Sequence, residues 1–166
     1  MTTSNVAGVV RSSPLFAGLE LSHLTEIERL GRTLTYRPGD AVFFLGEPAT
    51  SLLLIESGQV ALRLPIVARG DPTEITLEEK GPGEVLAWSS LVPPHRLTLN
   101  AQAVTDVTLV AIDRAALEEV FKDRPSLHLV TVSNLCRVIG SRVARLEAML
   151  IRELNRRMAD LTTGAP

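Results

Sequence analysis

The stretch RPGDAVFFLGEPATSLLLIESGQVAL, from Arg37 to Leu62, alternates short apolar runs with turn residues. Glycines stand at three of the breaks, Gly39, Gly46 and Gly58, and glycine tolerates the positive φ that many tight turns need. Short runs rich in β-branched residues and leucine, bounded by Gly and Pro, are typical of strands joined by turns. This stretch therefore predicts an antiparallel β-barrel or jelly roll.

The same pattern continues across residues 33–112. The segment ARGDPT predicts a hairpin turn between the runs QVALRLPIV and EITLEE. Along the first of these runs, Leu62, Leu64 and Ile66 occupy every second position, which is the period of a strand with one buried face. We expect a mainly β fold, an antiparallel β-roll with helices on both sides.

Helical patterns flank the β region. SSPLFAG carries a proline just inside the start of a short helix, SHLTEIERLGR repeats apolar residues at helical spacing, and DRAALEEVF is a short amphipathic segment. We expect a flexible N-terminus over residues 1–11. A β-roll with flanking helices is expected over 12–124, and a long C-terminal helix over 125–162.

The C-terminal segment lacks proline for about 36 residues after Pro125, so that a continuous helix would be roughly 54 Å long. Apolar residues recur on it at spacings of three and four and then slip by one position, as at a coiled-coil stutter. A helix of this length cannot bury its whole stripe against one small roll, so we expect a second copy of the chain to cover it. The expected homodimer interface consists of Ile139, Val143, Leu146, Leu150 and Leu154.

Composition excludes several classes of function. The chain has 166 residues and a formal net charge of -2, which leaves no electrostatic footprint for nucleic acid or for an anionic membrane. Its one cysteine, Cys136, cannot form an internal disulfide and fits a reducing compartment. No apolar run approaches the ~18 residues of a membrane span, and the N-terminus lacks the features of a secretory signal. We expect a soluble cytoplasmic protein.

The order of these segments resembles the cyclic-nucleotide-binding domain family. The resemblance covers about residues 12–160 and depends on four anchors in the right order: SSPLFAGL, the stretch from Arg37 to Leu62, GPGE, and VTLVAIDRAALEEVF. It implies an eight-stranded roll, a short phosphate-binding cassette, and a C-terminal helix that moves with the cassette when ligand binds. The implied ligand is cyclic AMP or cyclic GMP.

The cassette GEVLAWSSLVPPHRLTLNA, residues 83–101, departs from the family pattern. In the family, a Gly-Glu-Leu sequence places backbone amides at the cyclic phosphate and a carboxylate at the ribose hydroxyl, and a later arginine neutralises the phosphate. In this chain the three positions fall on Ala87, Trp88 and Ser89. The arginine position falls on Leu97, with Arg96 one residue early. A shift of one residue in an extended segment turns a side chain to the other face, and a bulge at the two prolines could restore its direction.

The resemblance and the neighbouring polar groups select one set of candidate ligand-binding residues. The set is Gly83, Glu84, Ala87, Trp88, Ser89, Ser90, Arg96 and Thr98. The sequence contains no catalytic motif and no metal-ligand spacing, so we expect neither an enzyme nor a metal protein. No cofactor is implied beyond the cyclic nucleotide.

Two classes of function remain open. The first is a non-enzymatic regulatory or sensor module that binds a cyclic nucleotide or another small anion through a non-standard cassette. The second is a ligand-independent dimeric interaction protein whose pocket is filled by Trp88. The two differ in whether Trp88 and Arg96 face an open pocket. We expect an unknown protein partner and do not expect DNA, because relatives that bind DNA carry a further helix-turn-helix after the long helix.

Arginines on the long helix allow a related alternative. Arg142, Arg145, Arg152 and Arg156 lie near one face at helical spacing. They could form a docking face for an acidic partner, or they could be the solvated flank of a coiled coil.

Overall fold

Two four-stranded antiparallel sheets form the body of the computed structural model, which describes residues 5–68 and 70–163 and, within them, the side chains of 5–67 and 70–159. The strands are β1 (Gly31–Tyr36), β2 (Ala41–Phe43), β3 (Ser51–Ser57), β4 (Val60–Ala68), β5 (Asp71–Lys80), β6 (Val85–Leu86), β7 (Asn100–Ala103) and β8 (Val107–Asp113). One sheet has the order β1-β8-β3-β6 and the other β2-β7-β4-β5. The prediction of an antiparallel β-roll is confirmed.

Strand β3 is buried on both faces, which explains its nearly unbroken run of apolar residues. Leu53 and Ile55 point between the sheets, where they pack against residues such as Leu62 and Leu109. Leu52 and Leu54 point to the other side, into a core shared with the helices. Because successive side chains of a strand alternate between faces, β3 connects the interior of the roll to the layer of helices.

The hairpin between β4 and β5 lies where the sequence predicted it. The two strands pair from Val60 opposite Lys80 to Ala68 opposite Asp71, with one shift of register between Leu62 and Arg63. Arg69 of the predicted turn lies outside the described residues.

Four α-helices and two short 3₁₀ helices accompany the strands within the described residues. They are α1 (Val6–Ser12), a 3₁₀ helix at Pro14–Phe16, α2 (Leu21–Glu28), a second 3₁₀ helix at Trp88–Leu91, α3 (Arg114–Asp123) and α4 (Pro125–Thr163). None of these helices combines the length and the apolar character needed to cross a bilayer.

Helix α1 corrects the prediction of a flexible N-terminus over residues 1–11. The helix begins at Val6, and the Asn5 side chain accepts a hydrogen bond from the backbone N–H of Gly8 as its cap. Val9 and Val10 are buried in the helical core layer, and Val10 is fully inaccessible to solvent. This burial, which the short segment did not reveal, orders the part of the predicted flexible segment that the structure describes.

Helix α4 is attached to the rest of the chain along its first part. It spans 39 residues, or about 58 Å at the usual helical rise. Leu127 and Leu135 are buried in the helical core layer, and the buried Asn134 side chain donates hydrogen bonds to the carbonyls of Leu15 at 3.1 Å and Ala17 at 2.9 Å. Such bonds fix the axial position of the helix as well as its rotation.

Gly58 provides a test of the turn between β3 and β4. Its φ is +87°, and an added Cβ would lie 2.2 Å from the Asp106 carbonyl oxygen. Gly58→Ala combines a left-handed conformation with a backbone clash, so we expect it to lower the free energy of unfolding by at least about 2 kcal/mol, measured by urea denaturation. Gly39→Ala is the matched control, because Gly39 has a φ of +92° but nothing within 4 Å of its added Cβ. Equal losses in the two variants would contradict the steric explanation.

Candidate functional site

The cassette begins where β6 ends. Ala87 has a left-handed backbone, with φ 52° and ψ 32°, and leads into the 3₁₀ helix at Trp88–Leu91. Its carbonyl accepts a hydrogen bond from the Ser90 N–H at 2.9 Å. A left-handed alanine costs roughly 1–2 kcal/mol, which the glycine of the family pattern would avoid. Ala87 therefore adopts a backbone conformation that glycine would adopt at lower cost.

A small cavity lies between this cassette, the roll and α4. Its volume is about 40 Å³, well below the roughly 300–1,000 Å³ of ordinary small-molecule pockets. Among the candidate residues, Ala87, Trp88, Ser89 and Thr98 line it. The structure thus brings these four candidates together at one cavity.

Three other candidates lie outside that lining. Gly83 donates its N–H to the Ile55 carbonyl at 2.8 Å. The Glu84 carboxylate accepts hydrogen bonds from the Gly81 N–H at 2.8 Å and the Lys80 Nζ at 3.0 Å. Ser90 is fully buried. The turn geometry occupies Gly83 and Glu84, so neither is placed to contact a ligand in this cavity.

Arg96 also lies outside the lining of this cavity, so its assignment as a ligand-binding residue stays a prediction. Its guanidinium donates to the Gly46 carbonyl at 2.7 Å, and the side chain is exposed. Leu97, the next residue, is buried and lines the cavity. Adjacent side chains of extended backbone point to opposite sides, so the shift of one residue is not corrected by the two prolines before it.

Trp88 occupies the position where the family pattern has a carboxylate. Its ring packs against the helical core layer, and the guanidinium carbon of Arg142 lies 5.7 Å from the ring centroid. This distance and the partners are those of a cation–π contact. Trp88 therefore fills part of the cavity and contacts α4 at the same time.

Three cations line the cavity, and no carboxylate is among its lining residues. They are Lys80 at the end of β5 and Arg142 and Arg145 on α4. The neighbouring Glu78 carboxylate is 3.6 Å from Lys80 Nζ, 3.8 Å from Arg142 Nε and 3.7 Å from Arg145 Nε. The Glu78 side chain is only 8% exposed, and neither of its oxygens has a hydrogen-bond partner among the described residues.

Sequence reasoning missed this charged cluster. It considered Arg142 and Arg145 only as part of an exposed arginine stripe, whereas the structure turns them toward β5. Arg156, in contrast, pairs with Glu153 on its own helix at 2.9 Å. One feature of the sequence pointed to part of the cluster: Glu78 and Lys80 are two residues apart in a strand, so their side chains share a face. In the structure they pair with Leu62 and Val60 of β4.

The predicted dimer stripe on α4 divides into two parts. Ile139 packs against the chain's own helical core layer, and Leu146 is half-buried. Val143, Leu150 and Leu154 are 47%, 59% and 51% exposed.

Two further features of the described residues concern metal ions and a second cavity. No group of three or more His, Cys, Asp or Glu side chains in this part of the chain could hold a metal ion. A second cavity of about 360 Å³ lies between the end of the cassette, α3 and α4. His95 lines it, with its ring Nδ1 2.9 Å from the Ser90 carbonyl oxygen.

Comparison with known proteins agrees with this geometry. A family model described as the cyclic nucleotide-binding domain matches residues 33–124. The chain is also 28% identical, over 155 residues, to a CRP-like cAMP-activated global transcriptional regulator of Mycobacterium tuberculosis. That match covers 92% of this chain and 62% of the relative, so the chain spans less than two thirds of the length of this relative.

Solved structures show the same similarity. The N-terminal domain of a transcriptional regulator from Streptomyces coelicolor A3(2) has a TM-score of 0.68 and 28% identity, and the match covers 81% of this chain and 94% of that one. The catabolite activator protein of Thermus thermophilus has a TM-score of 0.69 and 28% identity, with coverage of 87% and 63%.

The contact between Arg142 and the buried Glu78 predicts a difference between the two arginines. Arg142 is 15% exposed and Arg145 is 53% exposed. Arg142→Ala removes a buried cation beside Glu78 and leaves this carboxylate with Lys80 and the more exposed Arg145. Because the buried charge is then less well compensated, we expect the free energy of unfolding to fall by about 1–3 kcal/mol. Arg145→Ala should cost less than about 1 kcal/mol. Urea denaturation followed by circular dichroism measures both, and a larger loss for Arg145→Ala would contradict this assignment.

Proposed function

The chain belongs to the cyclic nucleotide-binding domain family, and we propose that it is a non-enzymatic regulatory module whose cavity between the cassette and α4 binds a small anionic ligand. The observation that carries this proposal is the lining of the cavity by Lys80, Arg142 and Arg145 without a carboxylate. Glu78 and Glu84, which lie outside the lining, offset two of these three positive charges, and the one that remains favours an anion in a poorly solvated place.

Cyclic AMP and cyclic GMP are the first ligands to test, because the mycobacterial relative is described as cAMP-activated. We propose that they bind more weakly here than in members with the full motif. The Trp88 indole can donate a hydrogen bond but cannot accept one from a ribose hydroxyl. Leu97, at the arginine position, offers no charge to a cyclic phosphate.

The proposed regulation couples ligand entry to α4. Because the cavity is about 40 Å³, a ligand enters only when Trp88 or α4 moves. The contact between Trp88 and Arg142 connects these two elements directly. A ligand that favours the displaced arrangement shifts the population toward it, in proportion to its difference in affinity for the two arrangements.

A second candidate function is a ligand-independent interaction module. The small cavity and the position of Trp88 within it favour this alternative, in which the side chain acts as a permanent plug. The unidentified partner would then be a protein, and the chain would act in the cytoplasm. Ligand titration separates the two candidates, because only the first requires binding.

Restoring the family's two missing side chains tests the nucleotide part of the proposal. We expect the double variant Trp88→Glu/Leu97→Arg to bind cyclic AMP at least about tenfold more tightly than the wild type, since the variant regains a ribose acceptor and a phosphate donor. Isothermal titration calorimetry measures the affinities. Arg96→Ala is the control and should leave any binding unchanged, because Arg96 is bonded to Gly46 outside the cavity. Micromolar binding by the wild type that is lost in Arg96→Ala would contradict the proposal.

We also propose that the chain forms a homodimer through α4. The exposed apolar residues Val143, Leu150 and Leu154 lie on one side of the helix at spacings of seven and four, and Met158 continues them with 66% exposure. An exposed apolar stripe at coiled-coil spacing is stable in water when a second helix covers it. The mycobacterial relative is described as a global transcriptional regulator, and we propose that this chain corresponds to the ligand-binding part of such a protein.

Replacing two residues of the stripe tests the dimer. Leu150→Lys/Leu154→Lys places like charges at the expected contact, so we expect the species in solution to change from a dimer to a monomer of 18.0 kDa. Light scattering after size-exclusion chromatography measures the mass. Ser141→Lys, on the opposite side of the same helix, should remain dimeric. A monomeric wild type would disprove the proposed interface.

A further inference from the structure

The charged cluster points to a more specific site within the proposed function, on which this inference rests. We infer that Lys80, Arg142 and Arg145 form an oxyanion subsite for the phosphate group of a small ligand. In this subsite Glu78 is an internal carboxylate that occupies the three cations when no ligand is bound. The subsite lies on β5 and α4, and Ala87, Trp88 and Ser89 of the cassette line the same cavity.

The first support is that three cations lie around one cavity. Lys80 and the two arginines come from distant parts of the chain, yet all three line the same cavity. Arg142 and Arg145 are three residues apart on α4 and so share a face. Three like charges in a partly buried place are unfavourable unless an anion offsets them.

The second support is the geometry of Glu78. Its carboxylate lies 3.6–3.8 Å from the three cations, beyond the roughly 2.7–2.9 Å of a charge-assisted hydrogen bond. Both of its oxygens are buried without a hydrogen-bond partner among the described residues. Glu78 therefore offsets the charge of the cluster but does not satisfy its hydrogen-bonding groups.

The third support is unused donor capacity. Lys80 donates to Glu84 at 3.0 Å, whereas Arg142 and Arg145 donate no hydrogen bond to another described residue. Lys80, Arg142 and Arg145 carry three positive charges and Glu78 and Glu84 two negative ones, so the cluster has a net charge of +1. A guanidinium presents a planar fork that fits the oxygens of a phosphate, and phosphate offers more acceptor oxygens than one carboxylate.

A phosphate bound at this subsite would displace Glu78 from the three cations. A phosphate that binds the three cations competes directly with Glu78, so ligand affinity is reduced by the strength of this internal pairing. Displacement of Glu78 changes the position of Arg142, which lies over the Trp88 ring. Trp88 is the chain's one tryptophan, so its fluorescence reports on this subsite without a label.

The experiment is a titration with inorganic pyrophosphate at constant ionic strength, followed by Trp88 fluorescence and by calorimetry. We expect Glu78→Gln to bind pyrophosphate at least about tenfold more tightly than the wild type, because the competing carboxylate is gone. Arg142→Gln/Arg145→Gln should bind at least about tenfold more weakly than the wild type. Arg156→Gln, which removes the same charge at an exposed pair with Glu153, should match the wild type within about twofold.

Thermal melting with and without pyrophosphate provides a second readout. An anion that binds only the folded state raises its stability, so pyrophosphate should raise the Tm of Glu78→Gln more than that of the wild type. If Glu78→Gln does not fold, Lys80→Gln replaces it, and we expect this variant to weaken binding at least about fivefold relative to the wild type.

Several results would overturn the inference. One is Glu78→Gln binding no more tightly than the wild type, and another is equal losses in the Arg156→Gln control and the double arginine variant. Cyclic AMP binding that survives the double arginine variant would overturn the subsite and leave the proposed function standing. No response of heat or fluorescence to pyrophosphate or cyclic nucleotide, in any variant, would overturn both.

Discussion

The position of α4 against the roll depends on one interaction, the burial of the Glu78 carboxylate against Lys80, Arg142 and Arg145. A carboxylate in a poorly solvated place is tolerated only when cations lie close to it. Here one cation lies at the end of β5 and two lie on α4. The negative charge of Glu78 is therefore compensated only when the helix lies against the roll. The apolar contacts of Leu127 and Leu135 attach the start of the same helix. The charged cluster extends that attachment by a further two turns, to the edge of the cavity.

This attachment explains how the fold is retained although the cassette has changed. The roll depends on strand burial and turn geometry. Val85, Leu86 and Leu99 of the cassette contribute to that burial, whereas neither Trp88 nor Arg96 lies in a strand. Ala87 has a left-handed backbone, which glycine adopts most readily, and Trp88 packs against the helical core layer. A fold can thus persist while its site diverges. Membership of the cyclic nucleotide-binding domain family establishes the framework of the site, and the residues in it determine what it binds.

The fold could be predicted from the sequence because its signals are local. Turn glycines, short apolar runs and the alternation along β4 each involve neighbouring residues, and they agree with one another. Helix α1 was missed because its few residues carry too little periodicity to be distinguished from a loop. The charged cluster could not be predicted for another reason: Lys80 and Arg142 meet only after the sheets and α4 have packed. Arg96 and Leu97 show the intermediate case, in which one residue of register determines which side chain enters the cavity.

The proposed anion site and the proposed dimer contact both include residues of α4. Arg142 and Arg145 turn toward the cavity, while Val143 and Leu150 lie exposed on another side of α4. Because successive turns of a helix are joined by backbone hydrogen bonds, a rotation or shift at the arginines is carried directly to the apolar stripe. If Glu78 is displaced by a phosphate, the balance of forces on α4 changes at the cavity, and the surface expected to face a second copy changes with it. In this arrangement the signal needs no long chain of intermediate residues, since the same helical segment carries both the charge sensor and the contact surface.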